Sequence, residues 1–217
     1  MQSFNEFVGQ SVGTTPAGAT GEFRYLFSFQ GNLTSRTRGR LFATAWNRDD
    51  VLVERTQPIW TDTAGHTELK KHYADILDAS RFVLCPRGIG TSTFRLFETL
   101  QSGRVPVILS DDWVAPAGID WDAISLRVRE ADIGRLAEIC EANLQRWPGM
   151  AGQARQTWER WFSPAGMGEL VRTSLEDILR RRRLPERTYR LGWPLRRSYS
   201  AARGALARGV SKLRRGG

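Results

Sequence analysis

Long apolar stretches are absent from this chain of 217 residues. No run of 18 apolar residues occurs, so the sequence predicts no transmembrane helix. The amino end also lacks a basic region followed by an apolar stretch, and no signal peptide is therefore predicted. From these two absences we expect a cytoplasmic protein that reaches a membrane only by peripheral attachment.

Cysteine and histidine are scarce, with two residues of each. Cys85 falls in a short apolar run and Cys140 in a helical pattern, so both are expected to be small buried side chains, and nothing requires an oxidising compartment. His66 and His72 are six residues apart and share a helix face poorly, and no cysteine or carboxylate cluster completes a zinc site. The sequence predicts no metal site and no bound cofactor.

Acidic residues are nearly missing from the carboxyl-terminal end. Residues 181–217 contain 12 Arg or Lys and one acidic residue, a charge of +11, whereas residues 1–180 contain 20 basic and 22 acidic residues, a charge of −2. A domain that binds nucleic acid through its folded surface should itself carry the positive charge. Nucleic acid is therefore not the expected partner.

The basic tail has an amphipathic pattern over residues 198–213. If this segment is helical, Leu206, Val210 and Leu213 fall on one face and basic side chains surround the other. Such a pattern predicts binding to an anionic membrane surface. A disordered, solvated run of charge is the alternative interpretation.

The most informative feature present is one strand–loop–helix–strand pattern near the middle of the chain. The apolar run at 82–85 is too short for a helix and predicts a buried strand, which Pro86, Gly88 and Gly90 end. A second apolar run at 105–109 predicts the next strand. This βαβ unit predicts an α/β fold: a Rossmann-like, three-layer α/β/α domain with about five or six parallel strands.

The helix of this unit is expected to start at Thr91 or Ser92, either of which can cap it, and to end at Gly103. In open parallel sheets, ligands bind at the carboxyl ends of the strands. The loop at 86–92 and Asp111 both lie at that edge, so the sequence predicts a ligand site there.

Arg95 and Glu98 are three residues apart and are neighbours on this helix. One interpretation is an exposed ion pair that contributes about 0.2–0.5 kcal/mol. The other is a nucleotide site, because Arg95 in the first turn can donate to phosphate and the carboxylate of Glu98 can accept from ribose hydroxyls.

A longer ordered string surrounds these two residues. It runs S-R-F-V-L-C-P-R-G, then S-T-F-R-L-F-E-T-L-Q-S-G-R-V-P-V-I-L-S-D, and later I-D-W-D-A-I-S-L-R-V-R-E-A-D-I. A strand ending in Pro-x-Gly, a helix with Arg-x-x-Glu, and a strand with an Asp after it thus follow one another. In this order of features, residues 25–143 resemble the exostosin-type glycosyltransferases.

The resemblance implies the nucleotide-sugar-binding C-terminal half of a GT-B fold and an inverting transfer without an essential metal. It implies a uridine-linked donor and a saccharide or lipid-linked acceptor. Because a chain of this length has room for only one of the two Rossmann-like domains, we expect a missing N-terminal domain or a partner chain to supply the general base. No catalytic residue is assigned in this chain.

By the same resemblance, Arg95 holds the diphosphate, aided by Arg36 or Arg40 and by the N–H groups of the loop at 90–92, and Glu98 fixes the ribose. Solvated surface arginines are the alternative interpretation of Arg36 and Arg40. The rest of the candidate donor site is Arg87, Gly88, Gly90, Thr91, Ser92 and Asp111.

Three segments are expected: a lead-in or linker remnant at 1–22, the Rossmann-like domain at 23–180, and the basic tail at 181–217. A second function stays open, which is a non-catalytic nucleotide-binding or interaction module, a degenerate transferase half that pairs with another chain.

The remaining patterns predict strands at 23–29, 51–53 and 124–128, and helices at 36–46, 68–79, 132–144 (capped by Asp132), 151–162 and 167–180. The Asp120-Trp121-Asp122 sequence lies in a predicted loop rather than at the end of an apolar strand, and is not expected to bind metal.

Overall fold

The computed structural model describes residues 23–56 and 66–182. The lead-in at 1–22 and the tail from 183 onward lie outside the described residues. The strands are β1 (Tyr25–Gly31), β2 (Val51–Arg55), β3 (Ser80–Pro86), β4 (Val105–Leu109) and β5 (Leu126–Arg127). The α-helices are α1 (Arg36–Ala43), α2 (His66–Asp78), α3 (Phe94–Gln101), α4 (Leu136–Ala142), α5 (Trp147–Thr157) and α6 (Met167–Arg181). A 3₁₀ helix (Glu130–Arg135) precedes α4, and a π-helical turn (Trp158–Phe162) follows α5.

The strands form one parallel sheet in the order β2-β1-β3-β4-β5. Phe27 of β1 lies opposite Phe82 of β3, which in turn lies opposite Val105 of β4. Because every strand runs in the same direction, all carboxyl ends lie along one edge. The predicted Rossmann-like α/β fold with a parallel sheet is confirmed, and it is consistent with one half of a GT-B enzyme.

Helices cover both faces of the sheet. Its strands are therefore buried on both sides and carry apolar residues at successive positions. On β3, Phe82 and Leu84 face the core beneath α1 and α4, whereas Val83 and Cys85 face α2 and α3. Burying a side chain such as Leu84 stabilises the fold by about 1.5–3 kcal/mol. Both cysteines are buried, as predicted.

Several local predictions are wrong. Helix α3 starts at Phe94 with Thr93 as its N-cap, so the loop after β3 continues through Thr91 and Ser92. Asp132 lies inside the 3₁₀ helix, and Arg135 is the residue that precedes α4. Leu69 of α2 and Phe94 of α3 have the helical spacing of core residues, which predicts burial, but both are exposed.

By its internal contacts the chain divides into two units, residues 1–173 and 174–217. The first unit contains the whole sheet. In the second, the structure describes the end of α6, where Arg181 pairs with Asp177 at 2.9 Å. Among the described residues, no helix combines the length and the apolar character needed to cross a bilayer.

Candidate functional site

The strand order places a crevice between β1 and β3. From β1 the chain moves outward to β2 on one side and then to β3 on the other, so the direction of winding reverses between these two strands. At such a switch point the connections after the two strands diverge, and ligands of open α/β sheets bind in the opening. Two arginines, Arg38 and Arg95, lie at this place.

Arg38 reaches the crevice from α1. Its guanidinium donates to the carbonyl oxygens of Asn32 (3.1 Å), Arg87 (3.2 Å) and Pro86 (3.5 Å), which follow or end the two strands. Ser35 fixes the helix here, because its Oγ accepts from the N–H of Arg38 (3.3 Å) and donates to the carbonyl of Arg87 (2.9 Å). The capped start of α1 is thereby tied to the loop that follows β3.

Arg95 reaches the same crevice from α3, on the opposite face of the sheet. Its Nη2 donates to the carbonyl of Gln30, the penultimate residue of β1, and its Nε lies 3.3 Å from the hydroxyl of Tyr73. The Cζ atoms of Arg95 and Arg38 lie 4.7 Å and 5.4 Å from the ring centre of Phe29, respectively. Two guanidinium groups therefore share one aromatic ring at the end of β1.

Gly31, at the end of β1, makes room for this arrangement. A Cβ at Gly31 would lie 3.0 Å from the ring of Phe29 and 3.5 Å from Nη1 of Arg38. Gly88 lies against the same guanidinium, since a Cβ there would be 3.4 Å from Nη2 of Arg38. Larger side chains at either position would press on the ring or on the arginine.

The two arginines differ in their partners. Arg38 has carbonyl partners but no carboxylate among the described residues, and burial together with the charge of Arg95 lowers its pKa to about 10. Burial also acts to lower the pKa of Arg95, but Tyr73 and Glu98 act against it and the net direction is upward. Arg38 is therefore the less compensated cation of the two, because burial and the charge of Arg95 both lower its pKa.

Glu98 lies one turn further along α3 and is 7% exposed. Its Oε2 accepts a hydrogen bond of 2.5 Å from the hydroxyl of Tyr73. Burial raises the pKa of this carboxyl, and the bond from Tyr73 and the charge of Arg95 oppose the rise. Contact between Glu98 and a ribose stays a prediction, and the structure adds Tyr73 as the side chain that holds the carboxylate.

Arg87 and Asp111 belong to a second polar cluster at the same edge, near β4. Nη1 of Arg87 contacts Asp112 (2.9 Å) and lies 3.8 Å from Glu130. Asp111 and Glu130 each accept from the other's backbone N–H, at 3.0 Å and 3.3 Å, and Thr37 of α1 donates to Glu130. These contacts connect α1, the loop after β3 and the segment after β5.

The other predicted donor residues lie at this edge or on the outer side of α1. Gly90, Thr91 and Ser92 form the loop between β3 and α3, and no intrachain hydrogen bond from their N–H groups is found in the described part of the chain. Arg36 and Arg40 are exposed, and Arg40 donates to the carbonyl of Ala131 (3.3 Å). Their contact with a donor stays a prediction.

Arg38 is the residue that the sequence interpretation overlooked. It precedes Leu41 and Phe42 by three and four residues, so it shares the inward face of α1, whereas Arg36 and Arg40 lie on the outward face. That spacing was available in the sequence. Tyr73 precedes the buried Ile76 and Leu77 by three and four residues, which predicts its inward position but not its contact with a residue 25 positions away. Glu130 had no such signal, because its partner on α1 is 93 residues away in the chain.

The described residues contain no group of three or more His, Cys, Asp or Glu side chains placed to bind a metal ion. Ser110, which follows β4, is buried, and its Oγ has no hydrogen-bond partner among the described residues. In the crevice between β1 and β3, the guanidinium groups of Arg38 and Arg95 are cationic donors, which suit an oxyanion.

Comparison with known proteins adds an independent finding. Residues 4–142 match the family model of the Exostosin GT47 domain. Exostosin-1 of Drosophila melanogaster is 31% identical over 218 aligned residues, which cover 88% of this chain and 27% of that protein. The Exostosin-1 homolog of Caenorhabditis elegans is 31% identical over 140 residues (57% and 36%), and Exostosin-1 of Mus musculus is 29% identical over 173 residues (71% and 23%). This chain thus spans about a quarter to a third of the length of these relatives.

Proposed function

Because this chain belongs to the exostosin GT47 family of glycosyltransferases, we propose that the crevice between β1 and β3 binds the diphosphate of a nucleotide sugar. The observation that carries the proposal is the pair of guanidinium groups of Arg38 and Arg95 over the ring of Phe29. Two like charges repel each other, and a diphosphate between them removes the repulsion and accepts from both.

The surroundings of the two arginines support a phosphate ligand. The N–H groups of Gly90, Thr91 and Ser92 lie in the loop that borders the crevice, and such groups are suited to phosphate oxygens. Arginine forms charge-assisted hydrogen bonds to phosphate that are about twice as strong as neutral ones. A neutral sugar hydroxyl would leave the charge of Arg38 without a counter-charge.

The nucleoside part of the proposal is a uridine whose ribose contacts Glu98. This carboxylate lies one helical turn after Arg95 and retains a second oxygen besides the one that Tyr73 occupies. In dinucleotide-binding α/β domains, a carboxylate near the phosphate site accepts from a ribose hydroxyl. The uracil base is proposed from family membership.

We propose that the family chemistry is an inverting transfer. The acceptor hydroxyl attacks the anomeric carbon, the bond from that carbon to the diphosphate oxygen breaks, and the diphosphate leaves with the electron pair. Arg38 and Arg95 would stabilise the negative charge that develops on the departing group. The acceptor proton goes to a general base. A segment of a longer protein or a partner chain would supply that base.

Titration calorimetry with UDP, UMP and uridine tests the binding step. We expect UDP to bind more tightly than UMP, and UMP more tightly than uridine, because each phosphate removed takes charge-assisted hydrogen bonds with it. Equal affinity for UDP and uridine, or no heat with UDP above buffer, would contradict the proposal. GDP serves as the matched control, since it keeps the diphosphate and changes only the base.

A non-catalytic nucleotide-binding or interaction module is the second candidate function, because the crevice accounts for binding and no general base is assigned among the described residues. Both candidates predict UDP binding, so turnover must separate them. The chain is combined with a candidate acceptor-binding domain or partner chain, and release of UDP from a UDP-sugar is measured in the presence of acceptor saccharides. Release that depends on Arg38 supports the transferase, whereas tight binding without release supports the module.

The basic tail is proposed to attach the protein to an anionic membrane. Residues 181–217 carry +11 and the rest of the chain −2. Each basic residue near such a surface contributes about 1 kcal/mol, which salt screens. Co-sedimentation with phosphatidylserine vesicles should be strong at low salt and weaken as salt rises, and a chain ending at residue 182 should lose it. Equal sedimentation of the shortened chain would contradict the proposal.

A further inference from the structure

The hydroxyl of Tyr73 lies between two charged side chains of α3. It donates to Oε2 of Glu98 (2.5 Å), and it accepts from Nε of Arg95 (3.3 Å). The Cζ atom of Arg95 also lies 5.2 Å from the ring centre of Tyr73. One residue of α2 therefore contacts both members of the Arg-x-x-Glu pair.

Residues three apart on a helix are near enough to form an ion pair directly. Arg95 and Glu98 do not form one within 4.0 Å in the described chain, although Arg135 and Glu138, with the same spacing, pair at 3.2 Å. The guanidinium of Arg95 is instead directed to the carbonyl of Gln30 at the end of β1. The intervening hydroxyl accounts for the difference, since it occupies the donor of one partner and the acceptor of the other.

We propose that Tyr73 is a positioning residue that holds Arg95 and Glu98 apart, so that Arg95 stays at the end of β1 and the carboxylate stays available to a second hydroxyl. This inference rests on the proposed function for its consequence, because the separated groups are the two that would meet the diphosphate and the ribose. The separation itself is a property of the unliganded chain and is tested without a ligand.

Removing the hydroxyl should let the two charges meet. In Tyr73→Phe the ring remains, while Nε of Arg95 loses its acceptor and Oε2 of Glu98 loses its donor. Rotation of the Arg95 side chain away from Gln30 then produces the direct pair that the spacing permits. If Tyr73 only fills space, Arg95 in Tyr73→Phe stays bonded to the carbonyl of Gln30, and Glu98 loses only one hydrogen bond.

These two outcomes move the pKa of Glu98 in opposite directions. Tyr73 now acts to lower it, so loss of that bond alone raises the pKa further. A direct guanidinium contact lowers a carboxyl pKa by about 1–3 pH units. The other titratable groups near Arg95 are Cys85 on β3 and Arg38 on α1, and both remain in place in the variant.

The experiment is carbon-13 NMR titration of the Glu98 carboxyl in the full chain, assigned by comparison with Glu98→Gln. We expect a lower pKa in Tyr73→Phe than in the parent and no change in Tyr25→Phe, the matched control on β1. In an Arg95→Gln background the same Tyr73→Phe change should raise the pKa, because no cation is left to pair. A higher pKa in Tyr73→Phe alone overturns the proposal, and Tyr73→Leu, which also lacks the hydroxyl, supplies the same reading if Tyr73→Phe does not fold.

UDP calorimetry on the same proteins separates this inference from the proposed function. A lower pKa of Glu98 in Tyr73→Phe, together with affinity for UDP at least tenfold weaker than in Tyr25→Phe, supports both. A lower pKa with no UDP binding by any protein, the parent included, supports the separation and contradicts the proposed function. Unchanged UDP affinity in Tyr73→Phe contradicts the inference that the separation of Arg95 and Glu98 serves nucleotide binding.

Discussion

Replacement of Arg38 by glutamine perturbs the proposed diphosphate site at one side chain. In the parent, this guanidinium donates to three carbonyl oxygens and lies over Phe29, with no carboxylate partner among the described residues. Hydrogen bonds from a charged group to phosphate contribute roughly 1.5–3 kcal/mol each. The loss of one such bond weakens UDP binding about 10- to 100-fold, at 1.4 kcal/mol per tenfold change.

The same substitution should lower stability but leave the protein folded. Two to three hydrogen bonds to carbonyls are lost, at about 0.5–1.5 kcal/mol net for each, a total of about 1–4 kcal/mol. Against this, the repulsion from Arg95 that helps to lower the pKa of Arg38 disappears. The free energy of unfolding should therefore fall by about 1–3 kcal/mol, less than the roughly 5–15 kcal/mol of a typical domain, which leaves a folded protein for the binding measurement.

Calorimetry with UDP is the assay, and urea denaturation verifies that each variant is folded. Arg135→Gln is the matched control, because Arg135 is an exposed arginine paired with Glu138 away from the crevice. The reasoning is refuted if folded Arg38→Gln binds UDP as tightly as Arg135→Gln. It is also refuted if Arg36→Gln or Arg40→Gln weakens binding more than Arg38→Gln does.

Three further predictions follow from single contacts. Glu98→Ala should weaken UDP binding about tenfold or more, by loss of a charged hydrogen bond to ribose, and calorimetry with Ser163→Ala as control measures it. Burial raises the pKa of Glu98, so its charge lowers stability once the pH exceeds the ordinary value of 4.5. Glu98→Gln should therefore raise the free energy of unfolding at pH 7, with a gain that shrinks toward pH 4.5 in urea titrations; a gain that grows toward low pH would contradict this. Gly166→Ala should lower the free energy of unfolding by about 1–3 kcal/mol, because its Cβ would collide with the carbonyl of Arg160, whereas Gly152→Ala meets open space and should be neutral or stabilising. Equal stabilities of these two variants would show that the backbone near Gly166 yields.

The sheet could be predicted from sequence because its central strands are short apolar runs that polar residues, glycine or proline interrupt on either side. Residues 82–85 and 105–109 are buried on both faces, and a run of that length has no room for a helix. The connection between these two runs contains a helix, and a connection of that length is typical of neighbouring parallel strands. The strand order did not follow from these patterns, because pairing of β1 with both β2 and β3 depends on contacts far apart in the chain.

The candidate site could be predicted only in outline. The edge was predictable, since ligands bind at the carboxyl ends of parallel strands, and so was Arg95 at the start of α3. The choice among Arg36, Arg38 and Arg40 requires knowing which face of α1 packs on the sheet, which Leu41 and Phe42 indicate. The hydroxyl between Arg95 and Glu98 comes from α2, and no spacing within α3 could reveal it.

Helix starts were the least predictable feature. Thr91, Ser92 and Thr93 are all suitable N-cap residues by type, and Thr93 takes the position without a side-chain hydrogen bond. Phe94 shows the same limit for burial, because it has the spacing of a core residue and is 66% exposed. At such a helix end, side-chain chemistry and tertiary packing together decide which residue starts the helix and which side chains are buried.

A crystal structure of this chain with UDP tests the central claim most directly. The account predicts phosphate oxygens within about 2.7–2.9 Å of guanidinium nitrogens of both Arg38 and Arg95, at the end of β1. A diphosphate bound beside Arg36 and Arg40, or at any other edge of the sheet, with Arg38 and Arg95 still on their carbonyl partners, would contradict it.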